Sequence, residues 1–235
     1  MDMEHDVQPF KGFVSGNHLM LGAAGIGKSR LIWSLLQTKE FSGTSFINVV
    51  LTDHPKHLWH NSSERTPIAH IHPYSSDLSW VTAPDKPGIY YAACDYLPRM
   101  HTFLECLSNY ALDPTVDKVP IRVFFDFPNK FWHSEFLLEQ INRLFYISRT
   151  LIPEAAPLEL WSILSAEPDM SYVPHSLFHQ NHSILLNPLS IPLIKTANKL
   201  LNTSFEISEF GDHTEKQNGF YYLPRQQEQI YFKIA

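Results

Sequence analysis

Cysteine is nearly absent from this chain. Among its 235 residues only Cys94 and Cys106 carry thiols, and they stand in no metal-ligand spacing. That excludes a disulfide framework and a thiolate metal centre, and leaves two ordinary reduced thiols. Long apolar runs are missing as well: none reaches the roughly 18 residues that a membrane span needs. The first residues, Met1-Asp2-Met3-Glu4-His5-Asp6, are acidic and polar, so no secretory signal or transit peptide is expected. The expectation is a soluble, cytoplasmic chain without membrane insertion. An excess of positive charge is also lacking. The formal net charge is −6, which argues against a sequence-wide grip on nucleic acid while leaving room for contact by a local loop or a ring pore.

What is present is an alternation of apolar runs and helical periods. Apolar runs at about 18–22, 46–51, 88–93, 121–126, 158–165 and 182–187 read as buried strands. Helical spacing follows the first of these, with Leu31, Ile32, Leu35 and Leu36, and again at Met100, Phe103, Leu104, Leu107 and Tyr110. It returns over 134–151 with Phe136, Leu137, Ile141, Leu144, Phe145 and Ile147, and a shorter helix is expected over 190–202. Strands alternating with helices predict an α/β fold, a mostly parallel sheet flanked by helices in three layers. One domain is expected over 1–235, with a lead-in at 1–17, a loop-rich insertion at 54–87 after the second strand, and a closing hairpin extension at 203–235.

The most specific feature lies between the first strand and the first helix. Gly22-Ala23-Ala24-Gly25-Ile26-Gly27-Lys28-Ser29 matches the phosphate-binding pattern G-x-x-x-x-G-K-[ST] in full. The glycines let the backbone curl until successive N–H groups face one cavity, and the following helix aims its N-terminus at the same anion. Lys28 is expected on the β- and γ-phosphates and the Ser29 hydroxyl on Mg²⁺. The predicted nucleotide-contacting set is Gly22, Ala23, Ala24, Gly25, Ile26, Gly27, Lys28, Ser29 and Arg30, with ATP and Mg²⁺ as the bound groups. The plain alternative is a glycine-rich turn without ligand. A second element fits the first: Val123-Phe124-Phe125-Asp126 is an apolar strand ending in an acid. That carboxylate is expected to hold Mg²⁺ through water; its structural alternative is a helix or turn cap.

These motifs resemble the P-loop ATPases that carry an additional strand between the two nucleotide elements, and among them the FtsK/HerA-like ATPases. The similar features are the loop at 22–29, the second strand ending Leu51-Thr52-Asp53-His54-Pro55-Lys56, and the late strand Trp161-Ser162-Ile163-Leu164-Ser165. The segment from Gln140 to Arg149 is similar to their post-motif helix, which ends in an arginine. The resemblance implies an ATPase driving movement or assembly on DNA, in plasmid maintenance, conjugation or packaging. It also implies a homo-oligomer or a partner protein of a DNA-processing complex. On that basis Lys28, Asp126 and Arg149 form the catalytic set, and Ser29 and Asp126 the metal set. Arg143 and Arg149 are then either arginine fingers across a subunit boundary or exposed arginines near a helix end.

One departure weighs against fast turnover. Relatives that hydrolyse ATP rapidly place Glu directly after the strand-end Asp, and this chain has Phe127 followed by Pro128-Asn129. A phenyl ring accepts no proton. Glu135, Glu139, Glu167 and Asp53 are candidates for the missing role, each with the alternative of a solvated surface acid. Two other classes stay open: a nucleotide-dependent switch or scaffold with little hydrolysis, and a small-molecule P-loop kinase. Scarce, unclustered arginines speak against a kinase lid, and the lack of Asn-Lys-x-Asp speaks against a guanine-nucleotide switch. His54, His57, His60, His70 and His72 lie between the second and third predicted strands, where solvated loop histidines are the default over a zinc site. The aromatic run from Phe124 to Trp132 reads as core or interface ahead of a base-stacking surface.

Overall fold

The computed structural model describes residues 15–38, 46–52, 68–71, 88–93, 97–113, 119–150, 157–165, 182–186, 191–201, 218–223 and 228–233, together with 170, 173, 177 and 203. Of the sequence candidates, Asp53, His54, His57, His60, His72, Glu167 and Cys94 lie outside these residues. Contacts divide the chain into two compact units, Met1–Leu31 with Ile163–Ala235, and Ile32–Ser162.

Strands β2 (Ile47–Thr52), β3 (Ile68–Ile71), β4 (Gly88–Ala93) and β5 (Ile121–Asp126) belong to the second unit, as does most of β6 (Leu158–Ser165). Their order is β3-β4-β2-β5-β6, and every pairing is parallel. β2 and β5 are buried along their whole length, so they are apolar on both faces with few exceptions. A parallel sheet covered on both sides by crossover helices requires this. Within the loop-rich insertion at 54–87 lies β3, a small local element paired to β4 from Ile68↔Ile89 to Ile71↔Ala92. Four residues are too few to carry a periodic signal, which is why the sequence shows no strand there.

Helices α2 (Leu97–Leu112) and α3 (Glu135–Arg149) pack together in the same unit. Arg143 donates to Asn109 Oδ1 at 3.0 Å, and the Gln140 amide meets His101 Nε2 at 3.1 Å. α3 starts where Leu137 and Leu138 N–H reach Ser134 O at 3.0 and 2.9 Å. Glu135 in its first turn and Arg149 in its last both complement the helix dipole. It stops at Thr150, whose backbone turns extended.

The first unit holds β1 (His18–Gly22), the start of α1 (Lys28–Leu36), β7 (His182–Leu186), α4 (Ile191–Leu201), β8 (Asn218–Leu223) and β9 (Glu228–Lys233). β1 and β7 are parallel, with His18↔His182 and Gly22↔Leu186 in register. β7–β8 and β8–β9 are antiparallel. No helix among the described residues is long and apolar enough to cross a membrane.

Candidate functional site

The octet at 22–29 leaves the carboxyl end of β1 and enters α1. Gly25 and Gly27 adopt φ of 74° and 99°, the left-handed region that side chains disfavour. A Cβ at either would meet nothing within 4 Å, so backbone conformation and not space demands glycine there. Gly22 is the opposite case. A Cβ there would come within 3.1 Å of both Ile26 Cγ2 and Leu186 Cβ, so close packing against β7 holds that position small. Alternating left-handed and right-handed residues curl a backbone into an anion-binding nest. The curl begins with Ile26 N–H on Ala23 O at 3.4 Å and passes into the helix with Leu31 N–H on Gly27 O at 2.9 Å. A helix's first turn directs its amides outward past the N-terminus.

Lys28 is buried, at 7% exposure. Its ammonium donates to Gly22 O at 3.0 Å and Ala23 O at 2.7 Å. The cation is thus folded back on the loop that it serves, which satisfies it within the turn. Ser29 is half-buried beside it, Ala24, Gly25 and Arg30 are exposed, and Ala23, Ile26 and Gly27 are partly so.

In the second unit Asp126 ends β5 and is 8% exposed as a residue. Its partner across the β2–β5 register is Thr52, 1% exposed. The same face of these strands carries a polar row at the other end. Arg122 donates from Nε to Glu159 at 2.6 Å and from Nη1 to Asn48 Oδ1 at 3.3 Å, and its guanidinium lies 4.2 Å from the centre of the Phe46 ring. Arg122 is therefore structural, fixed in a buried ion pair, and offers nothing to a basic surface. Between the two rows Phe124 packs on Trp161 with ring centres 5.4 Å apart.

Phe127 directly follows Asp126. It is buried and sits within 5.0–5.9 Å of Trp132, Phe131 and Phe125, ring centre to ring centre. The 3₁₀ turn Asn129–His133 supplies Phe131 and Trp132 to this cluster. The aromatic run is accordingly core, apart from Lys130, which is exposed over the Phe131 face. Glu135 and Glu139 are exposed on α3, as solvated acids are. Arg149 lies over Phe145 at 4.9 Å, and burial lowers its pKa from the ordinary guanidinium value. Arg143 is tied to Asn109. Among the described residues no group of three or more His, Cys, Asp or Glu could hold a metal. Sequence reasoning passed over Thr52, whose signal is a lone hydroxyl at the end of an apolar strand. Its alignment with Asp126 is invisible without the register.

A parallel sheet, a glycine-curled loop from strand to helix, and an acid ending another strand make up the α/β fold of the P-loop NTPases. No family model and no curated protein matches the sequence. Solved structures do share the fold. The DNA-packaging ATPase B204 of Sulfolobus turreted icosahedral virus is similar at a TM-score of 0.55 and 13% identity, over 94% of this chain and 98% of that one. The genome-packaging NTPase B204 of Sulfolobus turreted icosahedral virus 2, in complex with ATP-gammaS, gives 0.55 and 10%, over 93% and 97%. The pCW3 conjugation coupling protein TcpA, as a monomer with ATPgS, gives 0.56 and 13%, over 97% of this chain and 65% of that one. The α/β fold with a mostly parallel sheet that the sequence implies is therefore the fold that this chain shares with these structures.

Proposed function

We propose that this chain is an ATP-binding P-loop ATPase that drives assembly or movement on DNA, in packaging, conjugation or plasmid maintenance. The reading is carried by the loop at 22–29, whose two left-handed glycines curl the backbone at a helix N-terminus. It is supported by a fold shared along most of the chain with a DNA-packaging ATPase and a conjugation coupling protein. In this reading the amides from Gly22 to Arg30 cradle the phosphates. Lys28 exchanges Gly22 O and Ala23 O for phosphate oxygens, trading two neutral acceptors for charged ones, which make shorter and stronger bonds. Ser29 and Asp126 hold Mg²⁺, which when bound neutralises charge on the transferred phosphoryl group. Arg149 serves an adjoining protomer of a cytoplasmic homo-oligomer or DNA-processing complex.

A second reading has a specific observation in its favour. With Phe127 embedded in an aromatic cluster, the position after Asp126 supplies no base, which suits a nucleotide-dependent switch with little hydrolysis.

Two measurements test these readings. Calorimetry with ATP and Mg²⁺ is expected to show binding by the wild type and at least a hundredfold loss in Lys28→Ala, since charged hydrogen bonds contribute about 1.5–3 kcal/mol each. Wild-type affinity in that variant refutes the nucleotide site. Phosphate release that rises with DNA supports the motor; tight binding with release indifferent to DNA supports the switch and refutes the motor.

A further inference from the structure

We infer that the outer face of α3 pairs two copies of this chain: Phe136, Glu139, Arg143 and Tyr146 form a stripe that complements itself when two α3 helices lie antiparallel. The inference goes beyond the nucleotide reading and does not depend on it.

Three observations carry it. The first is exposure. α3 already buries Leu137, Ile141, Leu144 and Phe145, so the fold's own demand on this helix is met. Yet Phe136 is 51% exposed and Tyr146 67%. Between them Glu139 is exposed and Arg143 half-buried. Single exposed apolar residues are ordinary, but two large aromatics on one helical stripe are the residue type that interfaces favour.

The second is order. Steps of three, four and three residues keep side chains on one side of a helix. Read from its start, the stripe runs aromatic, acid, base, aromatic. A two-fold axis across α3 near Ile141 reverses that order in the partner. Glu139 then faces the partner's Arg143, and Phe136 faces the partner's Tyr146, each contact occurring twice as an isologous interface requires. A parallel pairing in register sets acid on acid and base on base, which costs free energy. The charges therefore select the antiparallel arrangement, and a second copy supplies the complement without any foreign sequence.

The third is preorganisation. Phe136 stacks on His101 of α2, with ring centres 3.9 Å apart and 15° between the planes. The buried Gln140 meets His101 Nε2 at 3.1 Å and steadies that ring in turn. Arg143 donates from Nη2 to Asn109 Oδ1 at 3.0 Å instead of turning to Glu139 one helical turn before it. Among the described residues Glu139 has no ion-pair partner. Side chains held in place before contact lose less freedom on pairing. Ten residues of helix make the stripe about 15 Å long. A contact of that size belongs to the small, transient class, so dimers are expected at roughly 10–300 µM.

Sedimentation equilibrium of the nucleotide-free full chain tests this, for the wild type, Glu139→Arg, Arg143→Glu and the double variant. The wild type is expected to dimerise. Each single variant is expected to weaken the dimer at least about tenfold, because the axis turns two ion pairs into two like-charge contacts. The double variant, with its charges exchanged, is expected to return to within about threefold of the wild type, since exchanged charges attract as before. An equimolar mixture of the two single variants is expected to form a heterodimer of similar affinity, since each carries the charge that the other lacks. Recovery in the mixture requires folded chains, so it separates a lost contact from a lost fold. A wild type that stays monomeric up to about 0.5 mM, above the range of such contacts, overturns the pairing and leaves the face to a foreign partner. A dimer indifferent to both single variants lies on another face, and overturns it as well. Weakening without recovery in either the double variant or the mixture overturns the antiparallel register. Should Arg143→Glu fail to fold through loss of the Asn109 bond, Glu139→Arg and Tyr146→Ala decide: both weaken the dimer about tenfold, or the pairing is refuted.

Discussion

Phe127→Glu places an acid directly after Asp126, and it is expected to damage this protein without accelerating it. The wild-type ring is 5% exposed and has three aromatic neighbours, the nearest with its centre at 5.0 Å. Removing it forfeits about 1.5–3 kcal/mol of burial and about 0.5–1.5 kcal/mol of aromatic pairing. The introduced carboxyl is buried among aromatic rings, which costs about 1–3 kcal/mol more. The expected loss is roughly 3–7 kcal/mol against a typical total of about 5–15. Urea denaturation followed by fluorescence reads this directly, and Phe127→Leu, with the apolar character kept, is expected to lose no more than about 1.5 kcal/mol. The acid substitution also has a pH signature. Burial raises the folded-state pKa of the new carboxyl above its unfolded value of about 4.3. Between the two values the folded state holds a proton that the unfolded state has released. Stability therefore falls as pH rises through that window, by up to about 1.4 kcal/mol per unit, and the deficit is smaller at pH 4 than at pH 8. If Phe127→Glu is as stable as the wild type, or hydrolyses ATP faster, then residue 127 faces the reacting phosphate and the core assignment is wrong.

Two further outcomes are expected. Arg122→Met strands Glu159 in a site where both side chains are under 10% exposed, and is expected to cost about 3–5 kcal/mol in denaturation. Replacing both partners by apolar residues is expected to recover much of that, because no lone charge is left buried; equal losses in the single and double variants refute the pair. Burial raises the Cys106 thiol pKa, and the nearby Glu105 raises it further. Its alkylation near pH 8 is expected to lag behind an unfolded thiol, to quicken as pH rises, and to quicken in Glu105→Gln, with mass spectrometry as the readout.

Much of the architecture was legible in single segments. β5 and β6 occupy the ranges expected from their apolar runs, because strands buried on both faces must be apolar nearly throughout. α2 and α3 follow from helical spacing for the same reason. β3 was not legible: four residues within a polar stretch acquire strand structure only by pairing with β4. Nor does the sequence show that Glu159 and Asn48 stand in register on either side of Arg122.

The same division holds at the candidate site. The loop at 22–29 is determined by sequence alone, because its chemistry is that of consecutive backbone amides and of glycines that permit φ of 74° and 99°. Eight adjacent letters contain the whole of it. The tertiary structure alone decided that Lys28 rests on Gly22 O and Ala23 O, that Phe127 is core, and that Thr52 stands opposite Asp126. The physical reason is distance along the chain. Contacts within a turn are written in neighbouring residues, whereas β2 and β5 join partners 74 positions apart, and only the register of the folded sheet selects which of them meet.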